Sequence, residues 1–155
     1  MSATAGLVLD FTLPAKEILL SQINHDNGTA ITPEQIRFGH VGALPATDPS
    51  GHNTTVYVMT AQGAQFEGSG YFNYDRIDIS AVPGERSTLF VLAGQTRLSN
   101  LLPDINARLS LNLTRADIVD ARLPPVEAGQ SCPANLVMAA HALLWTGSLA
   151  LTLSR

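Results

Sequence analysis

Residues 19–36, LLSQINHDNGTAITPEQI, and residues 101–118, LLPDINARLSLNLTRADI, lie 82 positions apart and share one pattern without a gap. Both read Leu-Leu-x-x-Ile-Asn and then Ile/Leu-Thr-x-x-x-Ile. A second block follows in the same order: VMTAQGAQFEGS (58–69) matches VMAAHALLWTGS (137–148) at an offset of 79. Two ordered blocks at nearly one spacing imply that a chain of 155 residues builds one supersecondary unit twice.

The local chemistry of each copy agrees with this. Pro14 suits a first helical turn, and Ala15, Ile18, Leu19, Gln22 and Ile23 then follow helical spacing along one mainly apolar stripe. Asn24 to Gly28 supplies residues that end helices and enter left-handed turns. Thr32-Pro33-Glu34-Gln35 reads as a capping box opening one or two helical turns, with Ile36 pointing inward. In the second copy Leu98, Leu101, Leu102, Ile105 and Leu109 form the stripe, with Ser99 or Asn100 as cap and Pro103 in the first turn. Thr114 to Asp117 repeats the capping box, and Ile118 again turns inward.

Both copies then pass through Pro/Gly-rich stretches, residues 43–53 and 123–135, which read as loops because Pro cannot sit in a regular helix or a central strand. GYFNYDRIDIS (70–80) is aromatic strand chemistry with broken alternation. ANLVMAAHALLWTGSLALTL (134–153) is long enough to span a bilayer, but its Gly-Ser break and its match to the first copy predict a hairpin of two buried strands. ERSTLFVLAGQT (85–96) reads as a linking strand. The expected fold is α+β in a single domain over 1–155, with pseudo-repeat one at about 12–83, the link at about 85–96 and pseudo-repeat two at about 97–155. Each repeat is a helix, a capped turn and antiparallel strands, and the two share one core.

Composition narrows the function classes. One lysine, eight scattered arginines and a net charge of −4 give no cationic cluster for phosphates, so no nucleic acid is expected as partner. Only 14% of residues are charged, which fits either apolar surface that meets a partner or a Thr/Ser/Asn-rich surface in place of charges. Cys132 is the only cysteine, consistent with folding in a reducing cytosol. The N-terminal residues have no signal-peptide pattern, and no membrane partner is expected.

No residue pattern names a reaction. His25-Asp26 at a helix end is the most metal-like pair, but the second copy has Ala107-Arg108 there, and metal binding needs three or four converging ligands. His40, His52 and His141 are scattered, so a hydrolase built on the histidines is the weakest reading. Gly68-Ser69-Gly70 lacks the first glycine of a nucleophile elbow, and Gly63 to Gly70 lacks the Lys-Ser/Thr of a phosphate loop. Asp75, Asp78 and Glu85 with Arg76 read as a solvated strand face. Phe66 and Trp145 occupy matching places and are expected as two halves of a core, although exposed Tyr71, Phe72, Tyr74 or Trp145 could serve a carbohydrate- or ligand-binding module. No catalytic, cofactor-binding or metal residue is assigned, and no cofactor is expected.

The Leu-Leu-x-x-Ile-Asn motif, Leu-Thr-x-x-Asp-Ile (113–118), Asp120 to Pro124 and the closing Leu-Trp-Thr-Gly-Ser together resemble a domain of virion structural proteins from large-genome (jumbo) tailed bacteriophages, which sometimes occurs in tandem copies. The resemblance covers most of residues 15–153. It implies a non-enzymatic tail or baseplate component, assembled in the host cytoplasm and present in repeated copies that contact other virion structural proteins. No functional residue carries over with it.

Overall fold

The computed structural model describes residues 9–61, 68–84 and 88–155. The fold is α+β, and its contacts divide into two compact units, Met1–Arg76 and Ile77–Arg155.

In the first unit, helix α1 (Ala15–Asn27) ends where Gly28 turns left-handed and returns its N–H to Asn24 O. The Asn24 side chain then clasps the chain seven residues on. Its Oδ1 accepts from Ile31 N–H at 2.9 Å, and its Nδ2 donates to Ile31 O at 2.9 Å. This fixes the exit direction and delivers Thr32 to the start of a single 3-10 turn, Pro33–Gln35, the short end of the one or two helical turns expected there. Gln35 Oε1 accepts from Thr32 N–H at 3.0 Å, as a capping box requires.

Strands β1 (Ile36–Ala43), β2 (Thr54–Thr60) and β3 (Ser69–Tyr74) follow as an antiparallel sheet in that order. Sequence patterning does not announce β1, because Gly39, His40 and Gly42 interrupt its apolar alternation. The pairing with β2 accordingly slips between Phe38 and Val41. Ile18, Leu19 and Ile23 of α1 are buried with Ile36, Val41 and Val56, and residues 44–53 form the expected loop.

The second unit has short elements of its own. Strand β4 (Ile77–Asp78) leads to a 3-10 turn, Ile79–Ala81, and β5 (Leu89–Phe90) follows at residues 89–90. A 3-10 turn, Leu98–Leu101, runs directly into α2 (Leu102–Leu109). Neither Ser99 nor Asn100 caps α2, because both lie inside that 3-10 turn. Asn100 Oδ1 instead accepts from Thr96 N–H and Arg97 N–H, both at 3.0 Å. Helix α2 ends on Ser110, left-handed at φ 54°, and Asn106 clasps Leu113 through bonds of 2.9 and 3.0 Å. Thr114 N–H then donates to Asp117 Oδ2 at 2.8 Å over the 3-10 turn Arg115–Asp117.

Beyond it run β6 (Ser131–Val137), β7 (Trp145–Thr146) and β8 (Ser148–Ser154). Residues 131–135, expected as loop, are strand despite Pro133. They lie on the edge of the β5-β8-β6 sheet, where a missing N–H costs no ladder bond. β5 pairs parallel with β8, and β4 pairs parallel with β7. Trp145 is buried with Leu144, Leu136, Leu149 and Leu153. The apolar run 134–153 is therefore strand and turn, and no helix among the described residues is long and apolar enough to cross a membrane.

Candidate functional site

The register of the first sheet sorts its side chains onto two faces, because alternate residues of a strand point to opposite sides. Val56 opposite Phe72 and Thr54 opposite Tyr74 lie on the face with buried Val56 and Tyr74. Tyr57 opposite Tyr71, Thr55 opposite Asn73 and Met59 opposite Ser69 lie on the other. Tyr57 and Tyr71 meet edge to face with ring centroids 5.1 Å apart, and Tyr71 is 73% exposed. Gly39 allows this: a Cβ there would stand 3.3 Å from Met59 Cε and 3.4 Å from the Tyr57 ring. A cleft of about 330 Å³ opens beside these residues, walled by Ile23, Ile31, Ile36, Val58 and Phe72, with Gly70 leaving its floor open.

A polar clasp ties the β1–β2 loop to the end of β3. His52 Nδ1 faces Asp75 Oδ2 at 3.3 Å, Asn53 N–H donates to Asp75 Oδ1 at 3.0 Å, and Arg76 N–H donates to Asn53 Oδ1 at 2.9 Å. Ser50 Oγ is bonded to Asp48, and hydrogen bonds from Ser50 hold the Asp48 carboxyl below its usual range. The His52 Nδ1 contact with Asp75 is not a hydrogen bond, so the carboxylate does not orient the imidazole as a general-base arrangement requires. Here its neighbour serine is committed to another carboxylate, and the bonds account for loop anchoring.

In the second unit, Asp120 gathers four donors. Ser99 gives its N–H and hydroxyl, both at 2.9 Å, Arg97 Nε stands at 3.2 Å and Arg115 Nε at 3.0 Å. The Ser99 backbone N–H first, then the Ser99 hydroxyl and Arg97, hold this carboxyl below its ordinary value. The bonds fasten residues 96–99 against 119–123, with Leu98 N–H donating to Ala121 O and Leu123 N–H to Thr96 O. Sequence reading missed this node because Ser99 and Arg97 lie 21 and 23 residues from Asp120 and no local motif joins them. Beside it lies a smaller cleft of about 210 Å³ that includes Arg122 and Arg155.

The residues singled out from sequence fall as follows. His25 and Asp26 are exposed on the last turn of α1, His40 and His141 are exposed elsewhere, and only His52 is half-buried. Among the described residues no group of three His, Cys, Asp or Glu side chains could hold a metal ion. Asp78 caps the 3-10 turn through Ser80 N–H at 2.9 Å, which lowers its carboxyl, while Asp75 belongs to the His52 clasp. Glu85 and Phe66 lie outside the described residues. Trp145 and Tyr74 are each 2% exposed, so neither can form a ligand platform, and burial pushes the Tyr74 phenol up. Of the four aromatics considered for ligand contact, Tyr71 alone is largely exposed, with Phe72 half-buried.

Comparison with known proteins places residues 9–155 under one family model, described as Family of unknown function (DUF7941). No curated protein and no solved structure matches the chain.

Proposed function

We propose that this chain, which belongs to the DUF7941 family, is a non-enzymatic structural protein that works through protein–protein contacts, as a tail or baseplate component of a large tailed bacteriophage. The observation that carries the reading is the placement of its exposed apolar side chains. Tyr71, Phe90, Leu92, Val119 and Val137 are 73%, 67%, 64%, 52% and 43% exposed on or beside strands. Soluble chains use exposed apolar strand surface for association.

The reading includes an internal duplication in which contact residues have diverged on a retained frame. Supporting it, the Asn24–Ile31 clasp corresponds to Asn106–Leu113. Ala61 N–H bonds Gln35 O at 2.9 Å, as Ala139 N–H bonds Asp117 O at 2.9 Å. Thr60 N–H bonds Gly68 O, as Met138 N–H bonds Gly147 O. Read as one duplicated frame, these bonds match β2 with β6 at 78 positions and Gly68 with Gly147 at 79, the offset of the sequence match of 58–69 with 137–148. On this alignment Tyr57 and Tyr71 correspond to Asn135 and Ala150, so the frame does not need the rings.

Mass spectrometry of purified particles of the encoding phage tests the reading. A fixed copy number per particle is expected, and absence from the particle refutes it. A second reading, a carbohydrate-binding module on a phage fibre, is favoured by the exposed Tyr71 ring braced by Tyr57. A glycan array would support it if binding were lost in Tyr71→Ala.

A further inference from the structure

Of the eight cationic side chains among the described residues of this acidic chain, four are held by named partners. Arg97 and Arg115 bind Asp120, Arg108 binds Asp104 at 3.2 Å, and Arg76 donates to Thr54 Oγ1 at 3.0 Å. Arg122 and Arg155 have no ion pair among the described residues, and both line the 210 Å³ cleft of the second unit. The cleft's other walls are Val91, Leu123 and the run Pro124 to Val126, with the polar Gln95 and Thr96 beside them. Arg122 sits opposite Arg97 in a two-residue bridge, and Gly129 N–H donates to Arg155 O at 2.7 Å, so both guanidiniums work from anchored backbone.

We infer that this cleft is a docking site for an acidic, extended segment of a partner protein, with one carboxylate between Arg122 and Arg155 and an adjoining aliphatic side chain against Pro124 and Pro125. Charge complementarity selects that occupant. On a chain of net charge −4 an acidic segment is repelled in general, and two unpaired guanidiniums lining the same cleft give it a place to land. Guanidinium forks recognise carboxylates through paired N–H donors. The volume, below the ~300 Å³ where small-molecule pockets begin, suits a side chain or two and not a drug-sized ligand. Adjacent prolines present a wall with no rotamer freedom to lose. The inference rests on the contact-protein reading and names the chemistry of one contact.

The test titrates the full chain with a labelled peptide of alternating Glu and Leu, with its Gln-for-Glu counterpart and with inorganic phosphate. Anisotropy and amide NMR shifts are the readouts. The Glu peptide should bind, shift the Gln95, Thr96, Arg122, Leu123 and Val126 amides, and weaken severalfold on raising salt from 50 to 200 mM. Arg122→Gln combined with Arg155→Gln should weaken it at least tenfold while Trp145 emission confirms an intact fold. Equal binding of the Gln peptide, unchanged affinity in the double variant, or absence of these amide shifts would overturn the inference. So would phosphate alone reproducing the shifts at the same concentration, since the cleft would then bind bare anions. Failure here with the protein present in particles removes only this contact, whereas absence from particles removes the virion reading even if the peptide binds.

Discussion

Asn106→Ala is expected to unfold the second unit at markedly lower denaturant. The side chain makes two bonds to one residue, accepting Leu113 N–H at 2.9 Å and donating to Leu113 O at 3.0 Å. Each bond contributes about 0.5–1.5 kcal/mol net, and stranding a buried partner costs about 1–3 kcal/mol more per group. Leu113 is 3% exposed, so water cannot replace the lost groups freely, and the expected loss is about 2–4 kcal/mol. With a urea m-value of about 2 kcal/mol/M, the midpoint should fall by about 1–2 M. Trp145, buried in the same unit, reports the transition by fluorescence. Asn24→Ala removes the equivalent bonds to Ile31, which is half-buried, so the loss in the first unit should be smaller. Asn106→Asp keeps the acceptor but sets a carboxylate against Leu113 O, and at neutral pH should be no better than alanine. A midpoint shift under about 0.3 M for Asn106→Ala, or a larger effect for Asn24→Ala than for Asn106→Ala, would refute the clasp as the element that fixes the chain after the helix.

Gly147→Ala should destabilise by more than ~1 kcal/mol in thermal melts, because φ is 83° and an added Cβ would stand 2.5 Å from Asp78 Oδ1. Gly129→Ala, at φ 79° with open space around it, should cost less, and the difference isolates the contact. The Asp120 carboxyl is depressed by Ser99 and Arg97, so its contribution is present above the ordinary carboxylate range and is lost as pH falls through its lowered value. Wild type should therefore lose urea stability below about pH 4 more steeply than Asp120→Asn, and parallel pH profiles would contradict this. Trp145 emission should be blue-shifted, resist acrylamide quenching and ignore added glycans, since the ring is 2% exposed.

The alternatives raised by the sequence sort by one distinction. A Pro at a first turn, an Asn near a helix end and a Thr-x-x-Gln/Asp box act over a few residues, so the helices, their left-handed ends and the capped turns are legible locally, as is the loop 44–53. The apolar run 134–153 is denied a membrane helix by its Gly-Ser break and its match to the first copy, and it forms strands and turns. Even the exposure of His25 and Asp26 follows from their place on the last helical turn.

What only tertiary structure decides is everything set by distant partners. Pro133 is tolerated in β6 because that strand lies at a sheet edge, and edges are not written in a strand's own residues. β1 exists because β2 supplies hydrogen bonds across a slipped register that its glycines do not advertise. Burial divides the aromatics, sending Tyr74 and Trp145 inward and leaving Tyr71 out, since the face a strand residue occupies depends on which side the core lies. The Asp120 node and the Arg122–Arg155 cleft arise from loops brought together across 20 residues or more. Sequence alone determines the short-range devices, such as the left-handed end of α1 and the Thr-x-x-Gln/Asp turns, because those are local sterics and hydrogen bonds. The fold decides which side chains remain for a partner, because exposure is a property of neighbours.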